Sequence, residues 1–193
     1  MVGGQVESAT LLPGSRCSAT PWLVAHPSLT RRWWRSLERD LAATDGVEPP
    51  VRVLDPLAVC RRISVFFGLD VDTDVRRWRM SRGGLCWSDL RGEPPAAEGG
   101  TVIRRAAAGL APRGYDAASL LCHALAVPEV AEQVAHRFRG VLDTDDGVVS
   151  QLHVLSVLLT RADAGEHPTL VAPIHRHVDR LIGRPTLLRP TTA

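Results

Sequence analysis

Apolar positions recur at helical spacing over most of the chain. Leu29, Trp33, Leu37 and Leu41 return every fourth residue, so a helix is predicted from a cap at Ser28 to about Ala43, with Gly46 ending it. Asp55-Pro56 is a cap followed by a first-turn proline, and Leu57, Cys60, Ile63 and Phe67 continue one face to Gly68. After Tyr115 the same spacing returns. Asp116 is placed as the cap of a helix to Leu125, and Pro128 opens another with Val130, Val134, Phe138 and Val141 inward. Asp145 or Asp146 begins a third, Val148 to Arg161, which is apolar on most sides and reads as the central core helix. The last helix carries Leu170, Ile174, Val178, Leu181 and Ile182; Pro173 marks its start or a kink, and Gly183 its end.

The period lapses in three places. Residues 1–27, rich in Gly and Pro, form an irregular lead-in in which only Trp22-Leu23-Val24-Ala25 suits a short strand; residues 184–193 form a loose tail. From Arg79 to Arg113 run Gly83-Gly84, Pro94-Pro95 and Gly99-Gly100, with one β-prone piece at Thr101-Val102-Ile103. A long irregular stretch inside a compact domain is more often functional ground than packing. One mainly α domain over residues 28–183 is therefore expected.

Composition narrows the chemistry. The 23 basic residues are all arginine, and they leave a net charge of +2, so no sequence-wide field draws in nucleic acid and every reaction needing a lysine amine is excluded. The cluster RRWWR, residues 31–35, invites a membrane or nucleic-acid anchor, but Trp33 falls on the apolar stripe and the arginines suit a solvated face. Neither a secretory leader nor an apolar run of about 18 residues is found, which points to a cytoplasmic chain with no membrane role. Cys17, Cys60, Cys86 and Cys122 lie far apart without a CxxC pair and are expected as free thiols. The run Asp70 to Asp74 imitates a calcium loop, yet Val75 occupies its glycine position and Ser81 its bidentate glutamate position, so capping is the better explanation and no metal is expected.

Cys86 and Ser88 are possible nucleophiles, with His123 and His153 as the nearest available bases; both histidines are read as core residues bonded to backbone carbonyls. His175 and His177 sit on different sides of one helix and do not chelate together, while Glu132 and His136 suit a surface i,i+4 pair.

The segment from Trp78 to Leu125 resembles the catalytic core of aminoglycoside-phosphotransferase-like small-molecule kinases. The likeness rests on Arg82-Gly83-Gly84-Leu85-Cys86-Trp87-Ser88-Asp89 at the place of an HGDxxxxN loop, on Val102-Ile103-Arg104-Arg105 as the following hairpin strand, and on Gly114-Tyr115-Asp116-Ala117-Ala118 as a helix start. The helices from Ser28 to Ile182 match the C-terminal lobe of that fold, and residues 1–27 are too short to supply its N-terminal lobe. In the family the loop aspartate positions or deprotonates the substrate hydroxyl, the loop asparagine and a later aspartate hold magnesium, and a lysine clamps the phosphates. Here Gly84, Asp89 and Arg104 occupy the first three positions, and the chain has no lysine.

A glycine cannot accept a proton, and an arginine repels the cation that bridges nucleotide phosphates. Arg82, Gly84, Asp89 and Arg104 sum to +1, where the family pattern carries about −2. Arg76, Arg77, Arg79 and Arg105 reinforce that inversion if their heads turn inward, making an anion or an acidic partner a better occupant than magnesium; otherwise they are solvated and Arg104 pairs with Asp89. Asp116 has a bracing role in the family, accepting backbone N–H bonds from the loop.

The resemblance thus implies a pseudokinase: a degenerate C-terminal lobe without phosphoryl transfer or cofactor, serving as a binding or scaffolding module within a biosynthetic or resistance pathway. Two other readings stand beside it. One is a repurposed, nucleotide-independent enzyme performing a cyclisation, elimination or isomerisation on an anionic or polycyclic molecule held among Trp78, Arg82, Cys86, Trp87, Asp89 and Arg104. The other is a residual kinase completed by another chain. A lobe lacking its upper half must also cover an apolar face, with residues 1–27, as a homodimer or through a partner.

Overall fold

The computed structural model describes residues 15–43, 54–92 and 108–183 and the pair Arg189–Pro190. The fold is mainly helical: α1 (Arg31–Ala42), α2 (Pro56–Phe67), α3 (Tyr115–Cys122), α4 (Pro128–Arg137), α5 (Arg139–Leu142), α6 (Asp145–Asp163) and α7 (Pro168–Ile182). Among these residues no helix is long and apolar enough to cross a membrane. The central element is α6, buried continuously from Asp146 to Ser156, with α2, α3, α5 and α7 packed around it. Its position follows from its sequence, since a helix apolar on most sides has no face to give to water.

Several helix ends differ from expectation by a cap. Thr30, not Ser28, begins α1, its side chain accepting the N–H of Trp33 at 3.2 Å. Thr144 caps α6 by accepting the N–H of Gly147 at 3.1 Å. Asp55 does cap α2, and Gly68 closes it at φ +64°. The inward face of α2 centres on Val59 and Ile63, whereas Leu57 is 73% exposed, so the helix is rotated from the expected stripe. On α1 both Trp33 and Trp34 are buried and Arg31, Arg32, Arg35 and Arg39 face solvent. Pro168 starts α7, which places Pro173 inside the helix, and Ile182 is partly exposed.

Glycine is required where α5 meets α6. A Cβ on Gly147 would stand 2.0 Å from the carbonyl oxygen of Val141, inside the backbone itself. Behind this junction Gln151 donates to the carbonyls of Leu142 (2.9 Å) and Gly147 (3.0 Å) and accepts from His177 Nε2 at 2.9 Å, so the buried amide is satisfied on both sides.

The strands are short. β2 (Arg79–Ser81) pairs antiparallel with β3 (Gly109–Ala111), Met80 opposite Leu110. β1 (Leu69–Asp70) pairs antiparallel with β4 (Arg189–Pro190), so two residues of the tail expected to be loose hold a place in a sheet. Trp22 to Ala25 form bends instead of the expected strand; the lead-in bridges at Arg16, opposite Arg91. Thr101 to Arg105, including the expected hairpin strand and Arg104, lie outside the described residues.

Candidate functional site

The loop between β2 and the 3-10 turn Trp87–Asp89 is shaped by the first turn of α3. Gly114, at φ +89°, turns the chain out of β3, so Gly114 occupies the cap position and leaves Asp116 one residue inside the helix. From there the Asp116 carboxylate gathers the loop. It accepts Ser81 Oγ at 2.9 Å, the Arg82 N–H at 2.9 Å and the Gly84 N–H at 3.3 Å, and Ser81 Oγ in turn accepts the Gly83 N–H at 3.0 Å. Burial pushes the Asp116 carboxyl above its ordinary range, against the pull of these donors and the nearby Arg82 charge. The side chain organises backbone and does not face outward.

Gly84 sits where the resemblance places a catalytic aspartate. Its φ is +88°, and a Cβ there would lie 3.2 Å from Cε1 of Tyr115 and 3.5 Å from Oγ of Ser119. An L-residue with a carboxylate would need a left-handed backbone and displacement of the Tyr115 ring.

The other predicted site residues disperse. Arg82 turns its guanidinium to the last turn of α1, donating to the Asp40 carbonyl at 2.8 Å, a cation at a helix C-terminus. The Cys86 thiol and the Cys86 N–H both donate to Asp89 Oδ2, at 2.9 and 3.0 Å, so Asp89 braces its own turn. Trp87 is 0% exposed; its indole N–H donates to the Leu120 carbonyl at 3.0 Å and its ring lies 6.3 Å from those of Trp33 and Trp34. Trp78 is 3% exposed. Neither indole is open to a ligand, which removes the aromatic walls expected for a cleft. The basic run does not turn inward either: Arg76 is 92% exposed beside Asp74, Arg77 reaches Asp146 at 3.4 Å, and Arg79 donates to the carbonyls of Arg76 and Trp78. The physical reason is local, because Asp74 caps the 3-10 turn Val75–Arg77 and so directs these side chains away from the loop.

Neither histidine base lies free. His123 Nδ1 donates to the Ser119 carbonyl at 2.7 Å, and His153 Nδ1 meets the Tyr115 hydroxyl at 3.2 Å where a backbone carbonyl was expected. Burial lowers both to about 4, so both are neutral at pH 7. The same burial raises the Tyr115 phenol to about 12.

The lead-in contributes more than its sequence suggests. Residues 15–23 run as a strap along residues 86–92: the Gly92 N–H donates to the Ser15 carbonyl, Cys17 N–H to Leu90, Trp87 N–H to Pro21, and Leu23 N–H to His123. Leu23 is buried, and the Trp22 ring meets that of His167 at a tilt of 54°, with centroids 3.7 Å apart. Trp22 and Leu23 were legible as apolar; what they cover was not. Burial also pushes the strap thiol Cys17 up to about 12. Among the described residues no group of three or more His, Cys, Asp or Glu is arranged to hold a metal ion. No protein family's profile, no curated protein and no solved structure matches the chain.

Proposed function

We propose that the chain is a phosphotransferase-like lobe without phosphoryl-transfer chemistry, working as a binding or scaffolding module. The observation that carries this reading is the pairing of Asp116 with Gly84: the loop is braced by a carboxylate at the place the resemblance assigns to a brace, while the neighbouring place assigned to the catalytic acid holds a glycine that Tyr115 crowds. A loop held in one geometry at the expense of a buried carboxylate retains its shape without an acid or base aimed at a substrate. Supporting it further, Asp89 is engaged by Cys86 and the Arg82 head by α1.

The repurposed-enzyme reading loses ground because Trp78 and Trp87 belong to the core. A partner of acidic character suits the solvated arginines of α1, Arg31, Arg32, Arg35 and Arg39, together with exposed Arg76 and Arg79.

A thermal-shift titration tests the reading. Mg-ATP leaves the melting temperature unmoved; a nucleotide site filled to a hundred times its dissociation constant would add about 2.7 kcal/mol, roughly 5–10 °C for a chain of this size. A saturable rise of that order, or transfer of the γ-phosphoryl group to any small hydroxyl or amino acceptor, overturns the proposal.

A further inference from the structure

His167 stands apart from every other histidine described. It lies at the corner before α7 in the left-handed region, at φ +40°, a conformation that favours glycine or asparagine. Its side chain is 0% exposed, and neither ring nitrogen has a hydrogen-bond partner. His123 and His153 are buried with partners; His167 is buried against the tilted ring of Trp22 instead. A neutral imidazole without a hydrogen bond is costly to bury, and a charged one far more so. The groups around it give a proton little welcome inside. Arg161 of α6 opposes its charging; His123, at the end of α3, is near enough for the two rings to disfavour each other's charge. Among the described residues the carboxylate paired with it is Glu166 at 4.0 Å, and that side chain is half exposed, so the pair closes toward solvent.

Trp22 belongs to the strap. Its neighbours Pro21 and Leu23 supply the strap's backbone bonds to Trp87 and His123, and Leu23 is buried in the core, so the ring contact with His167 adds to these in holding this end of the strap to the body of the domain. We propose that His167 and Trp22 form an acid-released latch: protonation draws the imidazole out to Glu166, parts the two rings, and loosens residues 15–23 from the segment 86–92 that they cover. The direction follows from linkage. A ring that resists protonation while the strap is closed, and accepts it at an ordinary value near 6.5 once the strap is open, favours opening as pH falls below that value. Burial lowers the His167 value in the closed state, in keeping with this direction. The latch is independent of whether the covered segment is a relict of a kinase.

Amide hydrogen exchange on the full-length protein, read residue by residue, tests it. Between pH 7.5 and 5.5, after correction for intrinsic exchange, the strap amides of Cys17 and Leu23 should lose protection by up to about ten-fold, the limit set by one group titrating at 6.5 only when open. In His167→Phe, which keeps a ring for Trp22 but takes no proton, that loss should vanish. In the wild type, the His167 ring signals should resist titration down to a pH below the ordinary range, and Trp22→Ala should return them toward it. Unchanged strap protection, a loss that survives His167→Phe, or a His167 that titrates normally while the strap stays closed each overturns the proposal. The last of these needs only the wild type, should the variants fail to fold.

Discussion

Replacing Asp116 with alanine leaves Ser81 Oγ and the N–H groups of Arg82 and Gly84 without their acceptor in a buried corner. Each such loss costs about 1–3 kcal/mol when no water replaces it, so Asp116→Ala should lower unfolding free energy by roughly 2–4 kcal/mol, and Asp116→Asn by less because one acceptor oxygen remains. Urea denaturation checks both; a loss under about 1 kcal/mol would mean that the carboxylate is not the brace. At Gly84 the strain of φ +88° and the approach of Tyr115 predict that even Gly84→Ala costs about 1–3 kcal/mol, measured the same way. Gly147→Ala should be worse, about 3 kcal/mol or more, because its Cβ would meet backbone at 2.0 Å and not a movable side chain. A silent Gly147→Ala would refute the close approach of α5 and α6.

The helices were legible because their apolar spacing is set by contact with one core, and α6 was readable as the central helix from its lack of a polar face. Their ends were harder. Ser28 and Thr30 both suit a cap by chemistry, and the helix that buries Trp33 and Trp34 begins after Thr30. The apolar stripe placed Trp33 inside but gave no sign that Trp34 is also buried, under the guanidinium of Arg137, which lies 5.0 Å from its ring and is itself paired with Glu38 at 2.9 Å. Within the candidate site, the sequence marked Asp116 for the start of α3 but put it at the cap, where the structure has Gly114. The directions of Trp78, Trp87, Arg76, Arg77 and Arg79 were not legible, since spacing does not say which way a loop side chain turns. The strap was unreadable for a related reason: residues 15–23 have no period of their own, and their hydrogen bonds go to residues some 70 to 100 positions away. The cap at Thr30 carries a prediction at this scale, a loss of about 1 kcal/mol in Thr30→Ala against almost none in Ser28→Ala.

Taken as one molecule, the domain keeps His123 and His153 neutral by burying them. His123 and His153 stay near 4 in the folded chain and return to about 6.5 when it unfolds. The unfolded state therefore takes up protons first as pH falls, and the stability these two sites protect is fully present above 6.5 and declines below it. At pH 5 the loss is roughly 2 kcal/mol for each, a decline that denaturant titrations between pH 7 and 5 would show and that a flat profile would contradict. Asp116, raised by burial, acts in the opposite sense and returns a part of that stability as pH falls through its own value. The loop that Asp116 holds is the one we propose to be phosphotransferase-like in form and to lack the acid and the cation site of such chemistry. Calorimetric titration of Mg-ATP into the full-length protein at neutral pH tests this most directly. The account predicts no heat beyond dilution; a saturable one-to-one isotherm that weakens in Asp89→Asn would contradict it.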